Sequence, residues 1–316
     1  MSDFLTFRLL DYIKAVAETL NFTRAAHRLY VAQPSLSQQI RDLEGQLKFS
    51  IFERGASGVR ITDAGRLLAT YADNALRERD EIVAMARAIH LRQVPPLRLG
   101  FSSFTCTSLL QDFRQSYEEM FPGCEIQLSG GDTVLILQRM NQRLLDCAIL
   151  PMPIDEDLYN VQRIAQAPLV LCMRSDDSLA GQAQVDIRDV ASRIKIFSDP
   201  ELHPSAHARL AELFQEIGTP LSLSNSARTP SDIQWMIKAG FGLALVDQLM
   251  PLEAGLITRP IAGVNWTVDT AFVHQNRTDH IALPFVEKLF QEKWRNGQGK
   301  KNARRSVRPE QLKLLA

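Results

Sequence analysis

Residues 21–62 constrain the fold of this chain more than any other stretch, because they contain a helix with two sharply different faces. Its apolar side chains recur at helical spacing and predict a buried face: Leu36, Ile40, Leu43 and Leu47. The opposite face is polar and mostly uncharged: Pro34, Ser37, Gln38 and Arg41. A solvated helix more often carries Glu and Lys there, whereas a face rich in hydrogen-bonding groups can read base edges in a DNA major groove. The stretch therefore predicts DNA binding.

The surrounding residues predict the other parts of a helix-turn-helix. One helix is expected from Thr6 to Leu20 and a second up to Leu29, with Thr23 as its N-cap. After a turn, Pro34 suits the first turn of the recognition helix, where its missing N–H would be unpaired anyway. The N-terminal end of that helix is expected in the groove. The expected DNA-contacting residues here are Thr23, Gln33, Pro34, Ser35, Ser37, Gln38 and Arg41.

A basic hairpin follows the recognition helix. Two short strands, 51–54 and 59–62, flank a glycine-containing turn, and glycine permits the turn conformation. Arg54 and Arg60 are expected to meet phosphates or the adjacent minor groove. The alternative is a small helical domain that binds protein, but three helices, a polar face and a basic wing agree in favouring DNA.

These segments resemble the N-terminal domain of LysR-type transcriptional regulators. The resemblance lies in residues 21–40, Leu43-Glu44, Phe52-Glu53-Arg54 and 62–65 (TDAG). It implies a winged helix-turn-helix activator or repressor that binds interrupted palindromes as a homodimer or homotetramer, with RNA polymerase as a partner if it activates. Many members carry Arg where this chain has Gln38, and Gln prefers adenine edges. The wing tip at Ser57-Gly58 also lacks the basic residue that many members have.

A proline-free helical pattern runs from Asp63 to about Gln93. Its small and apolar residues alternate three and four apart, which predicts a seam for a partner helix. The expected dimerisation residues are Leu68, Ala75, Ile82 and Ile89, with Arg79 interrupting the seam. Packing on its own domain is the alternative. Pro95-Pro96 is expected to end the helix.

From Leu97 onward, strands alternate with helices, which predicts α/β sheets. Strands are expected at 97–101, 125–128, 147–150, 169–173, 194–197, 221–225, 242–246 and 268–273, with helices between them and a last helix at 281–294. The pieces LRLGFSS, FPGCEIQL, RLLDCAIL and AGFGLALV resemble, more weakly, the effector-binding domain of the same family. This implies two lobes like those of periplasmic solute-binding proteins, with crossovers near 151–166 and 263–266.

Ligands in α/β sheets bind beyond the carboxyl ends of strands, which selects a set of candidate effector-binding residues. They are Ser102, Ser103, Phe104, Thr133, Ser198, Ser226, Arg228 and Thr229. Arg228 is the best expected partner for an anionic effector. Helix capping is an alternative role for the Ser and Thr residues, and Asp132 and Asp199 leave an amine-bearing or sugar ligand open. Asp247 stands where family members usually have Pro.

The expected fold class is therefore α/β multi-domain, and the expected domains follow from these patterns. They are a winged helix-turn-helix domain (1–62), a linker helix for dimerisation (63–94), a two-lobed α/β effector domain like periplasmic binding proteins (95–296) and a basic tail expected to be disordered (297–316).

Net charge, apolar segments and cysteines further limit the expected location and function of the chain. The formal net charge is zero, but local basicity matters more than the total for DNA binding. We see neither a signal peptide nor a membrane-length apolar run, so we expect a cytoplasmic protein without membrane partners. Two widely spaced cysteines, Cys147 and Cys172, lie in strand-like runs and are expected to be buried and inert; a peroxide-sensing pair is the minor alternative.

We expect neither a cofactor nor a metal. His203 and His207 have metal-ligand spacing, but solvent-exposed helix residues are the favoured interpretation. The chain has no GxSxG, Walker or GxGxxG sequence. This argues against the rival of an enzyme fused to a helix-turn-helix. A constitutive architectural DNA-binding protein is the second rival, and it predicts no response to any small molecule.

Overall fold

The computed structural model describes residues 5–55, 58–276 and 280–292. The chain divides into two units, Met1–Gln93 and Val94–Ala316. The expected tail at 297–316 and Ser57 of the wing tip lie outside the described residues.

The described part of the N-terminal unit contains four helices and a hairpin. Its elements are α1 (Phe7–Thr19), α2 (Phe22–Arg28), α3 (Gln33–Leu47), β1 (Phe52–Gly55), β2 (Gly58–Ile61) and α4 (Asp63–His90). The strands pair antiparallel, with Phe52 opposite Ile61. The predicted apolar face of α3 is confirmed, since Leu36, Ile40 and Leu43 are buried in the core of this unit. Burial of that stripe against α1 and α2 stabilises the helix more than its intrinsic propensity does.

The cap of α2 differs from the prediction. Asn21, and not Thr23, is the N-cap: its Oδ1 accepts hydrogen bonds from the backbone N–H groups of Thr23 and Arg24, at 2.9 and 3.0 Å. The Asn side chain, one position before the first helical residue, satisfies two N–H groups that would otherwise lack partners. Thr23 is exposed within the first turn.

The start of α4 packs tightly against the hairpin. The hydroxyl of Thr62 caps the helix by accepting from the N–H of Gly65 (2.9 Å) and donates to the carbonyl of Ser50 (2.8 Å). A Cβ at Gly65 would lie only 2.2 Å from the carbonyl oxygen of Ile51. Glycine is therefore required where the helix passes the backbone of the wing.

The first half of α4 packs on its own domain, which corrects the predicted seam. Ala72 and Leu76 are buried in the core of the N-terminal unit, and Leu68 and Ala75 pack against that core. These positions are turned inward because the interior of three short helices needs a fourth apolar face to cover it. Leu68 and Ala75 therefore contribute to the core of their own domain, whereas Ile82 is half exposed. The dimerisation role of Leu68, Ala75, Ile82 and Ile89 stays a prediction.

The C-terminal unit alternates strands and helices, as predicted. Its helices are α5 (Thr107–Met120), α6 (Thr133–Asn141), α7 (Ile187–Val190), α8 (Pro204–Glu216) and α9 (Pro230–Lys238), and residues 283–292 are also helical. Its strands are β3 (Leu97–Ser102), β4 (Ile126–Gly131), β5 (Cys147–Pro151), β6 (Tyr159–Arg174), β7 (Val185–Asp186), β8 (Ile194–Ser198), β9 (Asn225–Ala227), β10 (Leu243–Asp247), β11 (Leu256–Ala262) and β12 (Thr267–Gln275).

The long strand β6 joins two lobes. Its first part pairs with β12 as far as Pro168, in a sheet of order β4-β3-β5-β12-β6. From Leu169 onward it pairs with β10, and from Val170 also with β11, in the sheet of the second lobe. The chain thus crosses between lobes near 168–169, just beyond the predicted range, and returns at 263–266, as predicted. The expected strand at 221–225 is wrong, because β9 pairs with β8 only from Asn225.

Each lobe has its own core. Ile136, Met140 and Val273 are buried in the first lobe, and Leu171, Phe214 and Leu245 in the second. The strands of the first lobe that run parallel, β3, β4 and β5, end at one edge of their sheet. Parallel strands β8, β9 and β10 do the same in the second lobe. This brings the loops that follow these strands within reach of one ligand site.

Candidate DNA-contacting surface and ligand cavity

The N-terminal half of α3 presents an exposed polar surface. Five of the predicted DNA-contacting residues lie on it, all exposed: Gln33, Pro34, Ser35, Gln38 and Arg41. The helix begins after Ala32, which makes no side-chain cap, so its first N–H groups are unoccupied by any cap. Such N–H groups can donate to a phosphate.

Gln38 already has partners on its own helix. Its Oε1 accepts from Nη2 of Arg41 at 2.9 Å, and its Nε2 donates to Oδ1 of Asp42 at 2.7 Å. All three side chains are exposed. These bonds hold the amide in one orientation, and a bidentate contact to an adenine edge would replace both of them.

Ser37 does not belong to the exposed face, which corrects its predicted contact with DNA. It is 4% exposed, and its Oγ accepts a hydrogen bond from Nη1 of Arg54 at 2.8 Å. The guanidinium of Arg54 also lies 4.3 Å from the centroid of the Phe22 ring. Ser37 directly follows Leu36, so it lies at the edge of the apolar stripe and not on the polar face. Its side chain is buried there and faces the wing. Arg54 therefore connects β1 to α2 and α3, besides any phosphate contact.

Glu44 fixes the wing to the recognition helix from the other end. Its Oε1 accepts hydrogen bonds from the N–H groups of Ile51 and Phe52, at 2.8 and 3.0 Å. Arg60, on β2, is exposed as expected for a phosphate contact. Tyr30, which the sequence reasoning did not select, is 94% exposed in the α2–α3 turn with a φ of 56°. An aromatic residue in the turn before the recognition helix was the available signal.

A cavity of about 330 Å³ lies within the C-terminal unit, at the carboxyl ends of β3, β5, β8 and β10. Its wall is mostly apolar, with Phe104, Leu169 and Val246 among its lining residues. This volume is at the lower end of the range of about 300–1,000 Å³ for ligand sites and suits a compact molecule. Four predicted effector residues line it: Ser103, Phe104, Thr133 and Ser198.

Four other predicted residues do not line this cavity. Ser102 is fully buried, and its Oγ accepts from the N–H of Phe104 at 3.2 Å. Ser226 lies within β9, since that strand begins later than predicted. Thr229 caps α9 in a capping box with Asp232. The capping alternative is the observed role for Thr229.

Arg228 is also absent from the cavity wall, and its pairing with a ligand anion stays a prediction. Its side chain is exposed, its backbone N–H donates to Asp232 at 3.0 Å, and its carbonyl accepts from Ser103 at 3.4 Å. The residue precedes α9, as predicted, and its backbone N–H is bonded to the same Asp232 that forms the capping box with Thr229.

The cavity wall includes residues that sequence reasoning did not select. They are, among the polar ones, Cys106, Ser205, Arg209, Ser231, Gln234 and Asp247, together with His203. His203 is 3% exposed, which overturns the expectation of a solvent-exposed helix residue. The unusual Asp247 after the GLALV strand was noticed but not placed in a site.

Burial sets the electrostatics of this region. Desolvation lowers the pKa of His203 despite the opposing effects of Asp132 and Asp199, which favours the neutral imidazole. Desolvation raises the pKa of the Asp247 carboxyl, against a hydrogen bond from the N–H of Leu249. Arg209 is already paired with Glu212 and Glu216, at 3.0 and 3.2 Å.

The buried cysteines are confirmed as expected. Cys147 and Cys172 are both fully buried. Burial raises the pKa of Cys147 well above its ordinary value and that of Cys172 to about 12. Because the thiolate is the reactive form, neither thiol is suited to sensing peroxide.

Across 5–55, 58–276 and 280–292 there is no group of three or more His, Cys, Asp or Glu side chains that could hold a metal ion. In the same ranges no helix combines the length and the apolar character needed to cross a membrane.

Comparisons with known proteins match both units of the chain. Residues 7–66 match the model of the bacterial regulatory helix-turn-helix protein, lysR family, and residues 92–291 match the LysR substrate binding domain. The transcriptional regulator BudR of Raoultella terrigena is 29% identical over 252 residues, which are 78% of this chain and 86% of BudR. The dual regulator OxyR of Escherichia coli K12 is 29% identical over 245 residues, 78% of this chain and 80% of OxyR.

The fold also matches a solved complex. Full-length CbnR bound to its target DNA superposes with a TM-score of 0.56 at 19% identity, covering 92% of this chain and 99% of CbnR. At this identity the likeness shows the fold. The two family models together cover the hairpin, the recognition helix and both lobes. The chain therefore belongs to the LysR family of bacterial helix-turn-helix regulators, and it is a DNA-binding transcriptional regulator with an effector-binding domain rather than an enzyme.

Proposed function

We propose that α3 reads a double-stranded operator through Gln33, Pro34, Ser35, Gln38 and Arg41, with Thr23, Tyr30 and Arg60 on phosphates. The exposed polar N-terminal half of α3 carries this proposal. Buried Ser37 is not part of the reading face, and Arg54 holds the wing in place beside it. The linker helix and the two-lobed unit are proposed as separate functional parts.

Selection of binding sites from random duplexes with the purified full-length protein tests this proposal. Gln38→Ala should relax base preference at one position of each half-site. Gln46→Ala, an exposed change near the other end of α3, is the matched control and should select the wild-type sequence. If Gln38→Ala selects the wild-type sequence as strictly as the parent does, α3 does not read bases at that residue.

The protein acts as a homodimer or homotetramer in this proposal, because a two-fold operator needs two reading helices. Leu67, Tyr71 and Ile82 are all at least half exposed, and at helical periodicity they fall within about 60° of one another around α4. This stripe is rotated from the sequence-predicted seam and leaves the inward face to the core. The double change Leu67→Glu and Tyr71→Glu should shift the sedimentation coefficient toward the monomer, and an unchanged oligomer would exclude this face.

The cavity is the proposed effector site, since the apolar wall and the convergent strand ends favour a small-molecule ligand. In this proposal, an effector bound in the cavity changes the affinity of the protein for its operator. The protein acts in the cytoplasm, and RNA polymerase is a further partner if the protein is an activator. A thermal-shift screen of small metabolites against the full-length protein, followed by operator binding with each hit, tests this role. The architectural rival predicts no hit that alters operator binding.

A further inference from the structure

Asp42 places a carboxylate on the surface of α3 that faces away from the core. At about 100° per residue, it lies within about 40° of Gln38 and about 20° of Ser35 around the helix axis. All three residues are exposed. The other acidic residue of α3, Glu44, accepts hydrogen bonds from the backbone of the wing instead. The proposed reading surface therefore has a negative charge at its centre.

A carboxylate in this position is selective beside DNA. It repels the phosphates, and in its ionised form it only accepts hydrogen bonds. In the major groove, the amino groups of adenine (N6) and cytosine (N4) are donors, whereas the oxygens of guanine (O6) and thymine (O4) are acceptors. Each base pair has the amino group on one strand and the oxygen on the other. Asp42 is therefore satisfied by A or C on one strand and left unpaired by G or T there.

In the free protein, Asp42 obtains its donor from Gln38. Nε2 of Gln38 donates to Oδ1 of Asp42 at 2.7 Å, and Oε1 of Gln38 accepts from Nη2 of Arg41 at 2.9 Å. A glutamine that reads adenine uses the same two atoms, since the amide donates to N7 and accepts from N6. Gln38 can therefore contact adenine only when it releases Asp42. The carboxylate then needs a new donor at a surface from which the duplex excludes water.

The geometry of α3 places that donor on a neighbouring base pair. Asp42 lies four residues beyond Gln38, which is about 6 Å along the helix axis, and base pairs follow one another at about 3.4 Å. The second base is therefore one or two steps from the adenine. If it offers an amino group, Gln38 is released to read the adenine. If it offers an oxygen, the amide stays with Asp42 and the adenine is not read.

We propose that Asp42 is a specificity-determining residue, which accepts a hydrogen bond from the amino group of an adenine or cytosine one or two base pairs from the adenine that Gln38 reads. Through its bond to Gln38, it makes recognition of the two base pairs interdependent. This inference rests on the proposed reading role of α3. It assigns a class of base to a second operator position and names the residue that rejects other duplexes.

The base class is tested by selection from random duplexes with the full-length protein. The parent should prefer A or C over G or T at one position, one or two steps from the adenine that Gln38→Ala no longer selects. Asp42→Ala should lose this preference and bind unrelated duplexes more tightly, so that the ratio of operator to unrelated affinity falls about tenfold. Alanine is the best helix former, so this exposed change preserves α3.

Asp80→Asn is the matched control for the loss of charge. Asp80 is also an exposed acid of the N-terminal unit, and its Oδ1 accepts from Nε of Arg79 on the same helix at 2.9 Å. It lies on α4, away from the reading residues in the sequence. This variant should select the parental sequence and keep the parental ratio of affinities.

The interdependence is tested by fluorescence anisotropy with four duplexes: the operator, each single base-pair change and both changes together. In the parent, changing the adenine of Gln38 should weaken binding much less once the partner position of Asp42 already carries G or T. In Asp42→Ala, the adenine change should weaken binding by the same factor in either context, because its Gln38 is free in both.

Three results would overturn the proposal. They are a parental base preference in Asp42→Ala, an equal gain of affinity for operator and unrelated DNA in that variant, and independent effects of the two base changes in the parent. Any of these can occur while Gln38→Ala still relaxes the selected sequence, which leaves the proposed function intact. A parent without any base preference would instead contradict the proposed function itself.

Discussion

The guanidinium of Arg54 donates a hydrogen bond of 2.8 Å to the buried hydroxyl of Ser37, which joins the wing to the inward edge of the recognition helix. Both residues belong to the set that sequence reasoning assigned to DNA. In the structure these two residues bond to each other, whereas residues such as Gln38 face outward. The two groups should therefore differ in how their substitution changes affinity for DNA.

Ser37→Ala should weaken binding to all DNA sequences to a similar extent, by about 1 kcal/mol, because it loosens the wing without removing a base contact. Gln38→Ala should instead weaken the free energy of operator binding by about 1–3 kcal/mol. Its effect on binding to a duplex altered at the contacted base should be smaller. Fluorescence anisotropy with the two duplexes distinguishes these outcomes. A change in base preference in Ser37→Ala would return Ser37 to the reading face.

Gly65→Ala should destabilise the N-terminal unit by about 1–3 kcal/mol, because its new Cβ would lie 2.2 Å from the backbone carbonyl of Ile51. Gly45→Ala is the matched control on α3. A Cβ there meets nothing within 4 Å, and the change should stabilise the helix by about 0.5–1 kcal/mol. Thermal unfolding of the full-length variants gives both values, and equal effects of the two changes would contradict the close approach.

Asp146→Asn should destabilise the first lobe by about 2–3 kcal/mol at pH 7. Burial alone would raise the pKa of Asp146, but hydrogen bonds from Nε, Nη2 and the N–H of Arg98, at 3.1, 2.6 and 2.9 Å, lower it. Because the Arg98 side chain is 41% exposed, the loss of stability should lie at the lower end of the range for breaking a buried ion pair.

The same shift fixes the pH dependence of that pair. A lowered pKa in the folded state contributes stability above the ordinary value of 3.8, which is lost as pH falls through the folded pKa. Urea unfolding of the parent and Asp146→Asn should therefore differ at neutral pH and converge in acid. A constant difference down to strongly acidic pH would mean that packing, and not charge, is responsible.

Glu287→Gln should destabilise the protein more at pH 6 than at pH 9. Burial disfavours the charged form of His274, but its hydrogen bonds to the carboxylate of Glu287 and the carbonyl of Gln275 outweigh this and raise its pKa. A raised pKa contributes stability that is complete below the ordinary value of 6.5 and lost as pH rises through the folded pKa.

The expected difference for this pair is about 1–2 kcal/mol at the lower pH, reduced by the partial exposure of Glu287. Chemical unfolding at the two pH values measures it. The exposed Glu201→Gln change in the second lobe should show no comparable dependence, and a pH-independent Glu287→Gln effect would argue against a charged His274.

The repeated patterns of the chain predicted most of the fold. The apolar stripe of α3 and the alternation after Leu97 each extend over several turns or strands, so burial enforces them. The strand expected at 221–225 was wrong because the start of β9 is set by its pairing with β8, which begins at Asn225. That register is a tertiary contact, which the local sequence does not encode.

The sites were less predictable because single residues depend on side-chain direction. Ser37 and Leu68 each lie close to the boundary between two helix faces, where rotation by one residue exchanges core for surface. Arg228 was selected for its charge, although it is exposed and does not line the cavity. His203 was dismissed since its partners, Thr133 and Phe104, lie about seventy and one hundred residues earlier in the chain.

The position of β12 between β5 and β6 has a consequence for biosynthesis. The first lobe begins at Leu97, yet one of its inner strands is not translated until Gln275. While the ribosome makes the second lobe, the edges of β5 and β6 that later pair with β12 have no strand between them. The lobe that is started first is thus finished last, and a nascent chain stopped before β12 exposes two strand edges open to mispairing.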